Sequence, residues 1–224
     1  ASGASVRKNV GVQVPPRAQI GPDPHSSERG SGFFVRASVE RMLTEREIVV
    51  KQTKALGRDA FAIETPDEQL LGTARQTRKM SNLVKASRGV EVFDAAGAHV
   101  LSIEDPANFI RDQYVVHLAD PPMELARLTK RFAWLGSKFD VDVAGLPDLQ
   151  IQGQVFDLNY VLTSQGQEIA RVDAEYSGVG RMLMGKTSYR VAIQPGVDQR
   201  QHAAVIGIAL AIDMRRAKMR RNSG

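Results

Sequence analysis

The sequence predicts a mainly β fold, a closed antiparallel barrel of about twelve strands around a central hydrophobic C-terminal α-helix. Three observations predict it. Between residues 48 and 193, short alternating runs recur in pairs, each pair interrupted by a turn rich in Gly, Asp or Pro. From Ala203 to Ile212 no polar side chain occurs, and a helix apolar on every side must be surrounded by protein or lipid. Finally, an antiparallel sheet of about twelve strands leaves edges unless it closes, and a barrel that wide is not filled by its own side chains. The sheet needs a plug and the helix needs a sheath.

In chain order, residues 1–43 read as an extended arm. Pro15, Pro16, Pro22 and Pro24 fall there among several glycines, with no apolar period. Val39–Leu43 reads as a short turn before the barrel, which spans 44–224. Ile48–Gln52 is the first strand. Ala60–Glu64 and Gln69–Arg75 flank T-P-D-E, Gly89–Phe93 and His99–Glu104 flank D-A-A-G, and Tyr114–Leu118 and Glu124–Lys130 flank A-D-P-P. Lys138–Val143 and Leu149–Gly153 flank A-G-L-P, Val155–Leu162 and Glu168–Asp173 flank T-S-Q-G-Q, and Ser188–Ile193 comes last. Pro195-Gly196 then breaks the chain. Asp198 is a good N-cap, with Gln201 at capping-box spacing. The helix is predicted over about 198–216 with a basic tail behind it. No apolar run reaches the roughly 18–20 residues of a spanning helix, so no transmembrane segment is expected.

Charge is uneven. Arg215, Arg216, Lys218, Arg220 and Arg221 carry the equivalent of the whole net charge of +5, and no acid follows Asp213. A neutral body with a basic tail suits phosphates of lipid or RNA, or an acidic protein surface. The plainer reading is that cations favour a helix C-terminus and stay solvated. With no cysteine among 224 residues, disulfides and Cys-zinc sites are excluded. The start at Ala1-Ser2-Gly3 without Met suggests a removed leader, an organellar transit peptide being one candidate. A mitochondrial location is expected on that ground, with a cytoplasmic or peripheral-membrane one as the alternative.

The order of hairpins, then G-V-G-R-M-L-M-G-K-T-S-Y-R-V-A-I, then A-V-I-G-I-A-L-A-I-D, resembles the phospholipid scramblase and LURP-one-related superfamily over roughly Thr44 to Met219. That superfamily shares the Tubby C-terminal fold, and the resemblance implies a closed twelve-stranded barrel around a C-terminal helix. Tubby-like domains bind phosphoinositides through basic residues. By that resemblance, Arg75, Arg78, Lys79, Lys85 and Arg88, in a stretch whose Ser and Asn content reads as a loop, are the first lipid-contact candidates. Scramblases are associated with a calcium-binding segment before the final helix and with acylated cysteines. Here Gln194–Gln199 offers only Asp198, and there is no cysteine.

Other motifs weigh less. Gly180 to Thr187 satisfies the G-x-x-x-x-G-K-T phosphate loop, but a strand rather than a helix is expected after Lys186, and the motif needs that helix. Asp140-x-Asp142 resembles an EF-hand start, yet Ala144 and Ile151 stand where oxygen ligands belong; alternation makes F-D-V-D-V a strand with its acids facing solvent. His25, His99, His117 and His202 lack metal-ligand spacing. Met182-Leu183-Met184, between Arg181 and Lys186, is a flexible apolar loop suited to capping a barrel mouth or touching a membrane or a partner protein. Trp134 fits a core or an interface equally.

No catalytic set is recognised, so no enzyme and no cofactor are expected. The expected function is a non-enzymatic scaffold or interaction subunit, an accessory component of a larger, mitochondrial, RNA-containing assembly. Other protein subunits would meet the N-terminal arm and the basic tail, and RNA or anionic lipid would meet Arg181, Lys186 and the basic clusters named above. The alternative is a peripheral phospholipid-binding or lipid-scrambling protein.

Overall fold

The computed structural model describes residues 36–55, 58–80, 86–106, 113–132, 137–175 and 187–222. A short helix, α1 (36–42), precedes β1 (Glu47–Ala55), β2 (Arg58–Glu64), β3 (Leu70–Met80), β4 (Ala86–Asp94), β5 (His99–Asp105) and β6 (Gln113–Leu118). Then come β7 (Met123–Phe132), β8 (Ser137–Val143), β9 (Gln150–Gln154), β10 (Asn159–Ser164), β11 (Gln167–Ala174), β12 (Ser188–Ile193) and a final helix, α2 (Gln199–Asn222).

The twelve strands form one sheet in the order β8-β7-β6-β5-β4-β3-β2-β1-β12-β11-β10-β9. Every pairing is antiparallel, and all but β1 with β12 join consecutive strands. The two terminal strands, β8 and β9, meet at the turn that joins them, where an isolated bridge links Val143 to Leu146. The barrel is therefore nearly closed, with a seam between β8 and β9.

The core is the interior of this barrel, and α2 fills it. Val205, Ile206, Ile208, Leu210 and Ile212 are almost completely buried. Five such side chains stabilise the fold by on the order of 10 kcal/mol. They meet inward residues such as Ile103 of β5, Val116 of β6, Leu128 of β7 and Val191 of β12. The approach is close at Gly207, where a Cβ would lie 2.3 Å from Val116 Cγ1. Only glycine lets the helix sit that near β6.

The helix start matches its sequence signal. Asp198 Oδ1 accepts from the N–H groups of Arg200 and Gln201 at 2.8 and 2.9 Å, and Gln201 Oε1 accepts from the Asp198 N–H at 3.0 Å. Gln201 Nε2 also donates to Gly145 O at 2.9 Å, tying the helix to the β8–β9 turn. α1 lies at this same end. Arg41 hydrogen-bonds Gln69 in the β2–β3 turn, and Met42 and Leu43 enter the core. Residues 36–43, placed with the arm by sequence, thus pack on the barrel. The remainder of the arm lies outside the described residues.

Three expectations are corrected. The stretch from Arg75 to Arg88 is not one loop: β3 runs on to Met80 and β4 starts at Ala86. Of its Ser and Asn, Ser87 lies within the ladder opposite Lys79, while Ser81 and Asn82 lie outside the described residues. Val155–Leu162 is not one strand. Val155–Asp157 forms a 3₁₀ turn and Leu158 takes φ 58°, because the chain must reverse for Asn159 to pair with Gln154. The basic tail is helical through Asn222, as suits good helix formers with cations at the C-terminus.

Candidate functional site at the basic end of the barrel

The direction of α2 distinguishes two ends of the barrel. Its start faces the turns after β2, β4, β6, β8 and β10. Its exit faces the opposite connections. There Arg216 Nε donates to Phe156 O, Lys218 Nζ lies 3.3 Å from Asp105 Oδ2, and Arg220 donates to Thr187 Oγ1 at 3.4 Å.

Backbone register gathers cations at this second end. Lys54 lies near the end of β1 and Arg58 starts β2; Arg78 and Lys79 lie near the end of β3; Arg88 lies near the start of β4; Lys130 and Arg131 lie near the end of β7, and Lys138 near the start of β8. Two of these face each other directly across β3 and β4, Arg78 opposite Arg88. Two more do so across β7 and β8, Arg131 opposite Lys138. Across β4 and β5, Arg88 also stands opposite Asp105, so the register brings several cations and one carboxylate to the same rim.

The helix cations divide. Arg215 is only 3% exposed, its guanidinium 5.2 Å from the Phe139 ring centroid, a cation–π approach. Arg216 reaches Asp213 Oδ1 at 3.2 Å. Expected as outward contacts, both are folded into the body, because the helix carries them past the barrel wall before it leaves. Lys218 is half-buried against Asp105, while Arg220 is exposed. Behind them lies a polar layer: Asp213 is buried and close to the buried phenols of Tyr160 and Tyr189. Burial first, and the Asp213 charge second, push both phenols far above their ordinary range.

Arg75 is separate. It is exposed on the outer face of β3, opposite Glu91 and 5.6 Å from the Phe93 ring centroid. Lys85, Arg181, Lys186, the Met182-Leu183-Met184 loop, Trp134 and His25 lie outside the described residues. β12 begins at Ser188, so a strand follows Lys186-Thr187. Val141 faces inward on β8 while Asp142 is exposed and Asp140 half-buried. Sequence reading missed Lys54, Arg58, Lys130, Arg131 and Lys138, since each closes or opens an ordinary strand and only the register assembles them.

Residues 46–213 match the family model described as LURP-one-related, three quarters of the chain. The chain belongs to the LURP-one-related family. Its nearly closed barrel with a C-terminal helix is the Tubby-like architecture the sequence resemblance implied. Among solved structures, a crystal structure of an Arabidopsis thaliana protein is similar at 16% identity and a TM-score of 0.45, over 75% of this chain and 93% of that one. No curated protein matches. Among the described residues of this LURP-one-related chain, no group of three or more His, Asp or Glu is placed to hold a metal, and no helix is long and apolar enough to cross a membrane.

Proposed function

We propose that this LURP-one-related barrel is a non-catalytic docking domain whose basic end rests on the headgroups of anionic phospholipid. The opposed cations carry the reading: Arg78 with Arg88, and Arg131 with Lys138. A phosphate between two such cations removes their repulsion and adds charge-assisted hydrogen bonds. Each Lys or Arg near an anionic leaflet contributes about 1 kcal/mol, so several on one rim give reversible surface attachment. The Tubby-like barrel supports a lipid-binding type of domain.

Vesicle co-sedimentation tests this. Phosphatidylcholine vesicles containing phosphatidylserine should retain the protein, and pure phosphatidylcholine should not. Replacing Arg78 and Arg88 by Glu should weaken binding at least about tenfold, since tenfold corresponds to 1.4 kcal/mol. Equal binding to both vesicles, or an unaffected variant, would sink the proposal.

A second reading, the scaffold or accessory subunit of a larger assembly, is favoured by the free edges of β8 and β9, since exposed strand edges are templates for another chain. Co-purification from native extract at low and high salt checks it. Stoichiometric protein or RNA supports it, and a monomer that binds only vesicles counts against it.

A further inference from the structure

The seam between β8 and β9 holds a cavity of about 1540 Å³, walled by the two strands, their connecting turn and the 3₁₀ turn after β9. Five carboxylates line it, on Glu124, Asp140, Asp142, Asp148 and Asp157, of which Glu124 is held by Arg127 just outside the lining, and among the described residues no Lys or Arg lines it. Its walls are also incomplete sheet. Among the described residues, β8 pairs only with β7 and β9 only with β10. The Ala144 N–H donates to Leu125 O at 3.1 Å. By the alternation of an antiparallel ladder, the backbone groups of Phe139 and Val141 then face away from β7, into the cavity. An acidic groove with a free strand edge calls for an extended basic segment.

The chain contains one. Residues 1–22 include Arg7, Lys8 and Arg17 and no acid. Between these cations, Val10, Val12 and Val14 alternate with Gly11 and Gln13, a strand period that ends at Pro15-Pro16. This short alternation escapes a reading of the arm as lacking any period. The arm joins the barrel through α1, at the end where Gln201 holds the β8–β9 turn. About twenty residues separate Val14 from α1, a reach of roughly 70 Å when extended, well beyond the length of α2.

We propose that Arg7–Val14 docks in the seam as an added strand, paired to the free edge of β8, with its flanking cations on the groove carboxylates. The segment then completes the barrel from within the same chain.

Since the protein has no cysteine, a single engineered pair reports the contact. Gln13→Cys with Asp142→Cys, in the full chain, is treated with a short bis-maleimide. A crosslinked monomer joining residues 13 and 142 is expected. Its yield should fall at least tenfold on adding Val12→Pro, which removes a ladder donor, or on changing Asp140 and Asp148 to Asn. Amide exchange at Phe139 and Val141 should quicken in the full-length Val12→Pro protein without the cysteines. A crosslinked dimer would give the groove to a second copy's arm and overturn docking within the chain. Absence of the crosslink, or a yield indifferent to Val12→Pro, would overturn the added strand itself.

Discussion

The two ends of the barrel use charge in opposite ways. At the end where α2 begins, polar groups pair closely with one another. Asp198 and Gln201 cap the helix reciprocally, and the buried Asp94 accepts from the Ala98 N–H at 2.7 Å within its own turn. Lys51 stands 2.7 Å from Glu64 and 3.0 Å from Glu68, and α1 packs Met42 and Leu43 into the core. At the end where α2 leaves, cations oppose cations across two hairpins. The first end spends its polar groups on holding the fold. The second gathers cations on one rim around few carboxylates, with Asp105 opposite Arg88 and 3.3 Å from Lys218 Nζ. Substitutions at the first should move stability, and substitutions at the second should move binding.

The largest effect is expected midway between the ends. Ile208 is wholly buried, and a lone carboxylate there costs several kcal/mol or must neutralise. Ile208→Asp should abolish the cooperative melt followed by circular dichroism; a soluble variant with normal thermal unfolding would break the picture of a plug common to both ends.

Next comes His202, at the matched end. It is 3% exposed, and burial lowers its pKa to about 4, opposed in part by a hydrogen bond with the Glu45 backbone. The unfolded chain takes up this proton near pH 6.5 while the folded one resists until about pH 4. Stability from this group is therefore present above pH 6.5 and lost as pH falls through that window, by up to about 3 kcal/mol. Urea midpoints at pH 7 and pH 4.5 should differ less in His202→Gln than in the wild type. Identical pH dependence would remove His202 from the account.

A smaller loss is expected from Gly207→Ala. The added methyl meets Val116 Cγ1, and overpacking of about 1–3 kcal/mol outweighs the roughly 1 kcal/mol gained in helix propensity. Adding Val116→Ala should recover part of the lost melting temperature, a coupling that a double-mutant cycle measures.

The smallest change in stability belongs to the basic end. Arg131→Gln removes the charge opposite Lys138 and should leave stability level or raised by a few tenths of a kcal/mol. It should still weaken binding to phosphatidylserine vesicles. Marked destabilisation without loss of binding would erase the distinction between the ends.

Much of the fold was legible because its signals are local. The strand at Ser188–Ile193 has the boundaries its alternation predicts, and the Asp198–Gln201 cap is formed as spaced. The candidate site was legible only in part. Arg78, Lys79 and Arg88 attracted notice as a cluster along the chain, whereas Lys130, Arg131 and Lys138 did not, lying dozens of residues away. Arg215 and Arg216 misled for a related reason: composition shows a basic run, and nothing in the run says that its first turn is still inside the barrel.

By itself, the sequence determined the twelve-strand count and the need for the apolar helix to be enclosed, since both follow from periodicities of two and about 3.6 within one segment. Tertiary structure alone decided which cations share a rim, which are consumed inside, and where the sheet fails to close. Those depend on register between strands far apart in the chain, and register is fixed by how the whole barrel packs on α2.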